Sequence, residues 1–197
     1  MLAPGLIRRA EKTHVQHHIA VLIYVVGVIA TLFSSGIMHL ADRGSDLREL
    51  MLRVDHAAIF FLIAATYTPI HIIQFKSYQR WGVLIPIWIL ASIGMCFKLF
   101  YIDSFHEDLS LIFYLTLGWA GLLTFVLLLR TSGYKPLLPI LMGALAFTVG
   151  ALIDVSITQD FVAGAIRSHE VFHFFVLIGI GSHWMYIRGI VSRLHSI

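Results

Sequence analysis

The chain alternates long apolar runs with short polar stretches, and six of the runs are candidates to cross a membrane. They are Ile19–Met38, Ala57–Ile70, Trp81–Phe97, Leu109–Leu129, Pro136–Ile153 and Val171–Ile187. About 20 helical residues cross a hydrocarbon core of about 30 Å. The first and fourth runs reach that length without a charge, and the others are shorter or carry a histidine. The pattern predicts an all-α fold, a polytopic membrane helix bundle of six spans.

The composition agrees with a membrane protein. Of 197 residues, 58% are hydrophobic and 13% charged, with a mean hydropathy of +0.85, whereas a soluble domain needs more charge to cover its surface. We predict an N-terminal segment at 1–17, a single transmembrane helical domain at 18–191 and a C-terminal tail at 192–197. The first run is too long for the h-region of a cleaved signal peptide, about 7–15 residues.

The basic residues lie mainly in membrane-flanking segments, so a pI near 9.2 does not indicate nucleic-acid binding. With six spans, both termini lie on one side, which holds nine basic residues: Arg8, Arg9, Lys12, Lys76, Arg80, Arg130, Lys135, Arg188 and Arg193. The other side holds five: Arg43, Arg48, Arg53, Lys98 and Arg167. The positive-inside rule therefore favours cytoplasmic termini.

Ionisable residues in or beside spans are costly and are functional candidates. Ser35 and His39 are four residues apart at the end of the first span, on one helical face. Asp55 lies at the start of the second span, and His169 and His173, again four apart, open the sixth. By parity these three span ends share one membrane face, so we expect the three histidines and Asp55 to converge.

The chemistry of this set predicts a metal site. Three neutral imidazoles and a water form a catalytic type of tetrahedral zinc site. Asp55 is then placed to accept a proton from the zinc-bound water and to deliver it to a leaving group. Ser35 is placed to donate a hydrogen bond to water or to a developing oxyanion.

The remaining histidines fit this site less well. Three of them are expected to pack or to lie at the membrane interface: His71, His106 and His183. His14 and His18 precede the first span, and about 20 helical residues place them about 30 Å from His39. The single cysteine, Cys96, forms no intramolecular disulfide and is expected to pack as a small apolar residue.

The letters HEVFH at 169–173 also match H-E-x-x-H, a zinc-protease signature in which the glutamate is the general base. The protease interpretation makes Glu170 essential and gives Ser35, His39 and Asp55 no role. The three-histidine interpretation needs only His169 and His173 from this motif. It treats Glu170 as an acidic residue in the first turn of a helix, where it favours the helix dipole, and we favour this interpretation.

The ordered motifs resemble the hemolysin III family, which is related to the adiponectin and progestin receptors and to alkaline ceramidases. The resemblance covers about residues 17–190. It is carried by Ser35-x-x-x-His39, Arg53-x-Asp55-His56-Ala57, Ala65-Thr66-Tyr67-Thr68-Pro69, Phe97-Lys98-Leu99-Phe100, Tyr114, Gly118-Trp119, Thr148-Val149-Gly150, His169-x-x-x-His173-x-Phe175, Gly179 and His183.

The resemblance implies zinc held by His39, His169 and His173, with Asp55 and Ser35 beside the metal-bound water. It also implies seven spans, so this chain is expected to be a six-span variant or a truncated reading frame that lacks the first helix. Receptor-type relatives place zinc towards the cytoplasm, whereas the count of basic residues places the site outside. The side that the site faces stays open.

The leading functional hypothesis is a zinc-dependent hydrolase of the bacterial cytoplasmic membrane that cleaves an amide or ester bond of a lipid. Its partners are the bilayer and a lipid substrate or ligand, without nucleic acid, and its oligomeric state is open. The main alternative is a lipid-sensing receptor or structural protein with a structural zinc site. A pore-forming hemolysin is less favoured, because the spans carry no rows of charge to line a channel, and so is an intramembrane protease.

Overall fold

The computed structural model of the protein describes residues 3–11, 14–101, 107–156 and 168–194. Its α-helices are α1 (Ala3–Glu11), α2 (Val15–Leu40), α3 (Asp46–Gln74), α4 (Ser77–Phe100), α5 (Glu107–Trp119), α6 (Gly121–Ser132), α7 (Leu138–Ser156) and α8 (Ser168–Arg193). A short 3-10 helix, Lys135–Leu137, precedes α7. The described part of the chain contains no β-strand, which confirms the all-α prediction.

Six helical segments are long and apolar enough to cross a membrane, as predicted. They are α2, α3, α4, the α5–α6 segment from Leu109 to Ser132, the Lys135–Ser156 segment and α8. The protein is therefore an integral multi-pass membrane protein.

The helices extend beyond the predicted apolar runs, since a helix need not end where its sequence becomes polar. The second span shows this most clearly, because α3 begins at Asp46 rather than at Ala57. Ser45 caps it by accepting a hydrogen bond from the Arg48 backbone N–H at 3.2 Å, which satisfies one of the unpaired donors of a helix N-terminus. Asp55 consequently lies inside a helix and not at its start.

The chain divides into two compact units. The first contains the described residues up to Leu117 and from Ile190 onwards. Within it, α3 packs against both α2 and α4. Small residues allow α2 and α3 to approach closely: a Cβ at Gly27 would lie 2.8 Å from the Ala65 Cβ. The Thr31 hydroxyl, one turn later on α2, donates across to the Ala58 carbonyl at 3.2 Å, as small and polar residues commonly do between membrane helices.

Two arginines in this unit bond to the C-terminal end of the preceding helix. Arg48 on α3 donates to the Met38 and Ala41 carbonyls at 2.8 and 3.1 Å, at the end of α2. Arg80 on α4 donates to the Ile72 and Phe75 carbonyls, each at 2.9 Å, at the end of α3. The last carbonyls of a helix have no partner within it, so these bonds satisfy groups that the helix itself leaves unpaired.

The second unit runs from Gly118 to Gly189. Here the antiparallel helices α7 and α8 pack closely at three glycines. Each glycine on one helix faces a ring-bearing side chain on the other. A Cβ at Gly143 would lie 2.7 Å from His183. One at Gly179 would lie 2.6 Å from the Phe147 ring, and one at Gly150 would lie 2.7 Å from the Phe175 Cβ. The three contacts fix which residues of α7 and α8 are opposite each other.

His183 packs against Gly143 and Phe147, and His71 is fully buried with its Nδ1 3.2 Å from the Gln79 carbonyl, so both packing predictions are confirmed. Cys96 is exposed on α4, and the expectation that it packs inside the protein is wrong. The helical period turns this position away from the face that Gly94 presents to Phe60 on α3. His106 lies outside the described residues.

Candidate metal centre

His39 is positioned by the way α2 ends. It lies in the last turn of this helix, and Ala41 then adopts an extended conformation while its N–H bonds back to the Ile37 carbonyl. Arg48 bonds to the carbonyls of Met38 and Ala41. Backbone carbonyls on both sides of His39 therefore accept hydrogen bonds that hold the end of the helix in place. The His39 side chain is exposed at this end.

His169 and His173 lie in the first two turns of α8. Their Nε2 atoms are 3.0 Å apart, and their ring centroids are 4.5 Å apart with an interplanar angle of 81°. Residues four apart share one helical face, and here the two imidazoles direct the same ring nitrogen towards a common point.

His39, His169 and His173 form a group that could hold a metal ion. Each offers one ring nitrogen, and these nitrogens all lie within 4.8 Å of one another. Zinc–nitrogen bonds of about 2.0–2.1 Å at tetrahedral angles place ligand atoms about 3.4 Å apart. The spacing of the two α8 histidines is already close to that value, so the donor set fits a three-histidine zinc site.

The second nitrogen of His169 has a partner that the sequence analysis did not identify. Its Nδ1 lies 3.4 Å from each carboxylate oxygen of Asp154, near the end of α7. Both side chains are partly buried, with exposed fractions of 27% for His169 and 30% for Asp154. An aspartate directly after an apolar run is a signal in the sequence, but its partner depends on the packing of α7 on α8.

Asp55 lies outside the histidine group, on α3 of the first unit, and is 4% exposed. The buried Ser34 hydroxyl donates to Asp55 Oδ1 at 3.3 Å. The neighbouring Ser35, which the sequence analysis selected, is partly buried. Ser34 is therefore a candidate site residue beside Ser35, because its hydrogen bond orients the Asp55 carboxylate.

Two further polar groups lie in the helices next to Asp55. The Tyr114 hydroxyl donates to the His56 carbonyl at 3.0 Å, and its ring lies 4.3 Å from the Phe60 ring. Lys98, in the last turn of α4, is 2% exposed. A buried charge at the end of a span meets the criterion that selected Asp55, so this lysine could have been selected from the sequence as well.

Glu170 lies in the first turn of α8, the position expected if it favours the helix dipole. Within the described ranges, the metal-ligand group consists of histidines without Glu170. The geometry thus reproduces the two-histidine part of the motif, which both interpretations share.

Comparison with known proteins adds a family. A model of the family described as Haemolysin-III related matches residues 3–184. The chain is 29% identical to Hemolysin-3 of Bacillus cereus over 161 residues, which is 82% of this chain and 70% of that relative. It is 27% identical to the Hemolysin-3 homolog of Bacillus subtilis strain 168 over 157 residues, 80% and 70% of the two chains. The human Monocyte to macrophage differentiation factor is 27% identical over 178 residues, 84% and 69% of the two chains.

Proposed function

The chain belongs to the hemolysin III family, and from that membership and the histidine geometry we propose that it is a membrane-embedded, zinc-dependent hydrolase of a lipid amide or ester. The proposal depends on one observation above all. Ring nitrogens of His39, His169 and His173 lie within 4.8 Å of one another, although more than a hundred residues separate the first from the other two.

The three imidazoles are the groups proposed to hold the metal. A zinc ion bound in this way supplies Lewis acidity, which activates water near neutral pH and polarises a carbonyl group. Imidazole must be neutral to bind a metal.

Asp55 is proposed to transfer protons. Its carboxylate is almost fully buried and is held by the Ser34 hydroxyl, so it is presented in a defined orientation. A carboxylate placed in this way accepts a proton as water attacks and returns it to the leaving amine or alcohol, a contribution of about 10²–10⁴-fold in rate. Ser35 is the candidate donor to the developing oxyanion.

A lipid is the substrate class that suits these surroundings. The spans expose large apolar side chains to the membrane, among them Phe33 on α2 and Phe174 on α8, each close in sequence to a proposed ligand or proton carrier. A substrate with a long acyl chain dissolves in the same hydrocarbon and needs no aqueous path to reach the histidines.

The decisive experiment combines metal analysis with a lipid assay on purified protein. We expect wild type to contain about one zinc per chain and to release fatty acid from ceramide-like or phospholipid substrates in mixed micelles. Asp55→Ala should keep zinc and thermal stability but lose at least about 10²-fold in turnover, whereas His39→Ala should lose zinc. Asp46→Asn, which removes an exposed carboxylate at the start of α3, should retain both properties.

Other functions give different results in the same experiment. A wild type that binds zinc but hydrolyses none of these lipids would favour a receptor or a structural zinc site. Loss of peptide cleavage in Glu170→Gln would indicate a protease. The names of the bacterial relatives suggest a third possibility. Leakage of liposomes that persists after all three histidines are replaced would favour a pore. A zinc-free wild type would contradict the proposed metal site itself.

A further inference from the structure

Asp154 and His169 form a contact between α7 and α8 that the proposed reaction does not use. The His169 Nδ1 lies 3.4 Å from both Asp154 oxygens, while its Nε2 lies 3.0 Å from the His173 Nε2. One imidazole is therefore held on one side by a carboxylate and directed on the other towards a second histidine.

The packing of the two helices makes this contact a consequence of their register. Gly143 is opposite His183, Phe147 is opposite Gly179, and Gly150 is opposite Phe175. About one turn forward along α7 thus corresponds to about one turn backward along α8. One further turn along α7 from Gly150 reaches Asp154, and the corresponding turn of α8 contains the stretch that begins at His169.

The contact with Asp154 favours one tautomer of His169. An ionised carboxylate only accepts hydrogen bonds, so the hydrogen bond to Asp154 is formed by the tautomer that carries its proton on Nδ1. In the neutral ring, Nε2 is then left with its lone pair, which is the form that binds a metal ion. Histidine ligands in metal sites usually donate their other N–H to such an acceptor, and loss of the acceptor typically weakens metal binding 10- to 100-fold.

We propose that Asp154 is a positioning residue of the metal centre, whose carboxylate accepts the His169 Nδ1–H and so sets the tautomer and orientation in which Nε2 binds the cation. This inference rests on the proposed metal site. It assigns Asp154 no contact with substrate. A purely structural contact between α7 and α8 would instead show itself in the stability of the metal-free protein.

The test measures zinc affinity by competition with a chelator, on purified full-length protein in detergent. We expect Asp154→Ala to bind zinc about 10- to 100-fold more weakly than wild type. Asp154→Glu, which keeps the acceptor, should recover at least part of this loss. Asp46→Asn, which removes one negative charge elsewhere on the chain, should bind zinc like wild type. The thermal midpoint of metal-free Asp154→Ala should remain close to that of metal-free wild type.

Each result bears on a separate statement. Unchanged zinc affinity in Asp154→Ala would overturn the positioning role while leaving the three-histidine site intact. Equal losses in the Ala and Glu variants, together with a lowered metal-free thermal midpoint, would also overturn it and show a packing contact. If Asp154→Ala does not fold, Asp154→Val, which also lacks an acceptor, takes its place, and affinity equal to wild type in that variant would again refute the proposal. A wild type without zinc affinity refutes the proposed function first.

Discussion

Ser34 and Ser35 are adjacent in sequence but occupy different environments on α2. Ser34 is 3% exposed and donates to Asp55, whereas Ser35 is partly buried and lies one turn before His39. Neighbouring helical residues point about 100° apart, so the two hydroxyls cannot serve the same group in the same way. The Ser-x-x-x-His motif makes Ser35 a candidate site residue, and the contact with Asp55 makes Ser34 one.

We predict different consequences for the two alanine substitutions. Ser34→Ala removes a hydrogen bond to a buried carboxylate and should lower the free energy of unfolding by about 1–3 kcal/mol. Ser35→Ala should leave stability within about 0.5 kcal/mol of wild type and, if the hydroxyl supports the oxyanion, reduce kcat by up to about 10²–10³-fold. Denaturant titration and steady-state lipid hydrolysis separate the effects. Equal losses in both quantities for the two variants would contradict the distinction.

At the scale of the helices, α7 and α8 are joined by small residues facing large ones. A glycine on one helix meets a ring-bearing side chain on the other at three successive levels. Membrane helices gain little hydrophobic stabilisation from contact with each other, so close packing of this kind carries their association. The same packing brings Asp154 to His169, and it therefore links helix association to the geometry of the proposed metal centre.

Gly150→Ala should disturb both association and metal binding. The added Cβ would lie 2.7 Å from the Phe175 Cβ, and overpacking of this kind costs about 1–3 kcal/mol. We expect a lower thermal midpoint and weaker zinc binding, because the helices must separate or shift near Asp154.

Gly181→Ala is the matched control on α8. A Cβ at that position meets nothing within 4 Å, and alanine is the better helix former, so this variant should be at least as stable as wild type. A Gly150→Ala protein with unchanged thermal midpoint and zinc affinity would show that the α7–α8 contact tolerates more space than the structure indicates.

At the scale of the whole molecule, an even number of spans determines which segments share a membrane side. Six spans place both ends of the described chain on one side, and the end of α2, the start of α3 and the start of α8 on the other. The family resemblance and the count of basic residues disagree about which of these sides is the cytoplasm. Neither the family resemblance nor the count of basic residues changes the number of spans.

Cysteine labelling in intact cells can decide the orientation. In a Cys96→Ser background, single cysteines at Ser45 and at Ser132 should differ in their reaction with an impermeant maleimide, because an odd number of spans separates them. Labelling of the Ser45 position would place the histidines outside, as the positive-inside rule predicts. Labelling of the Ser132 position would place them towards the cytoplasm, as the family resemblance implies. Equal labelling of both would contradict the six-span topology.

The sequence alone predicted much of the fold, because its strongest signals are local. A run of apolar residues long enough for the bilayer produces a span whatever surrounds it, and all six spans were found in this way. The ends were predicted less well: α3 starts at Asp46 because Ser45 caps it, even though the residues that follow are charged. The four-residue spacing of His169 and His173 is equally local, since any helix places such residues on one face.

Contacts between helices were decided by the tertiary structure. Nothing in the spacing of Asp154, Ser34 or Cys96 shows that the first meets His169, that the second meets Asp55, or that the third is exposed. These outcomes depend on the rotation and register of each helix against its neighbours. Close packing of glycines against rings fixes the rotation and the register of a helix. Contact with lipid does not, because apolar side chains of every size are equally compatible with the hydrocarbon core. Hydropathy therefore determines how many spans there are, and packing determines which of their polar residues meet.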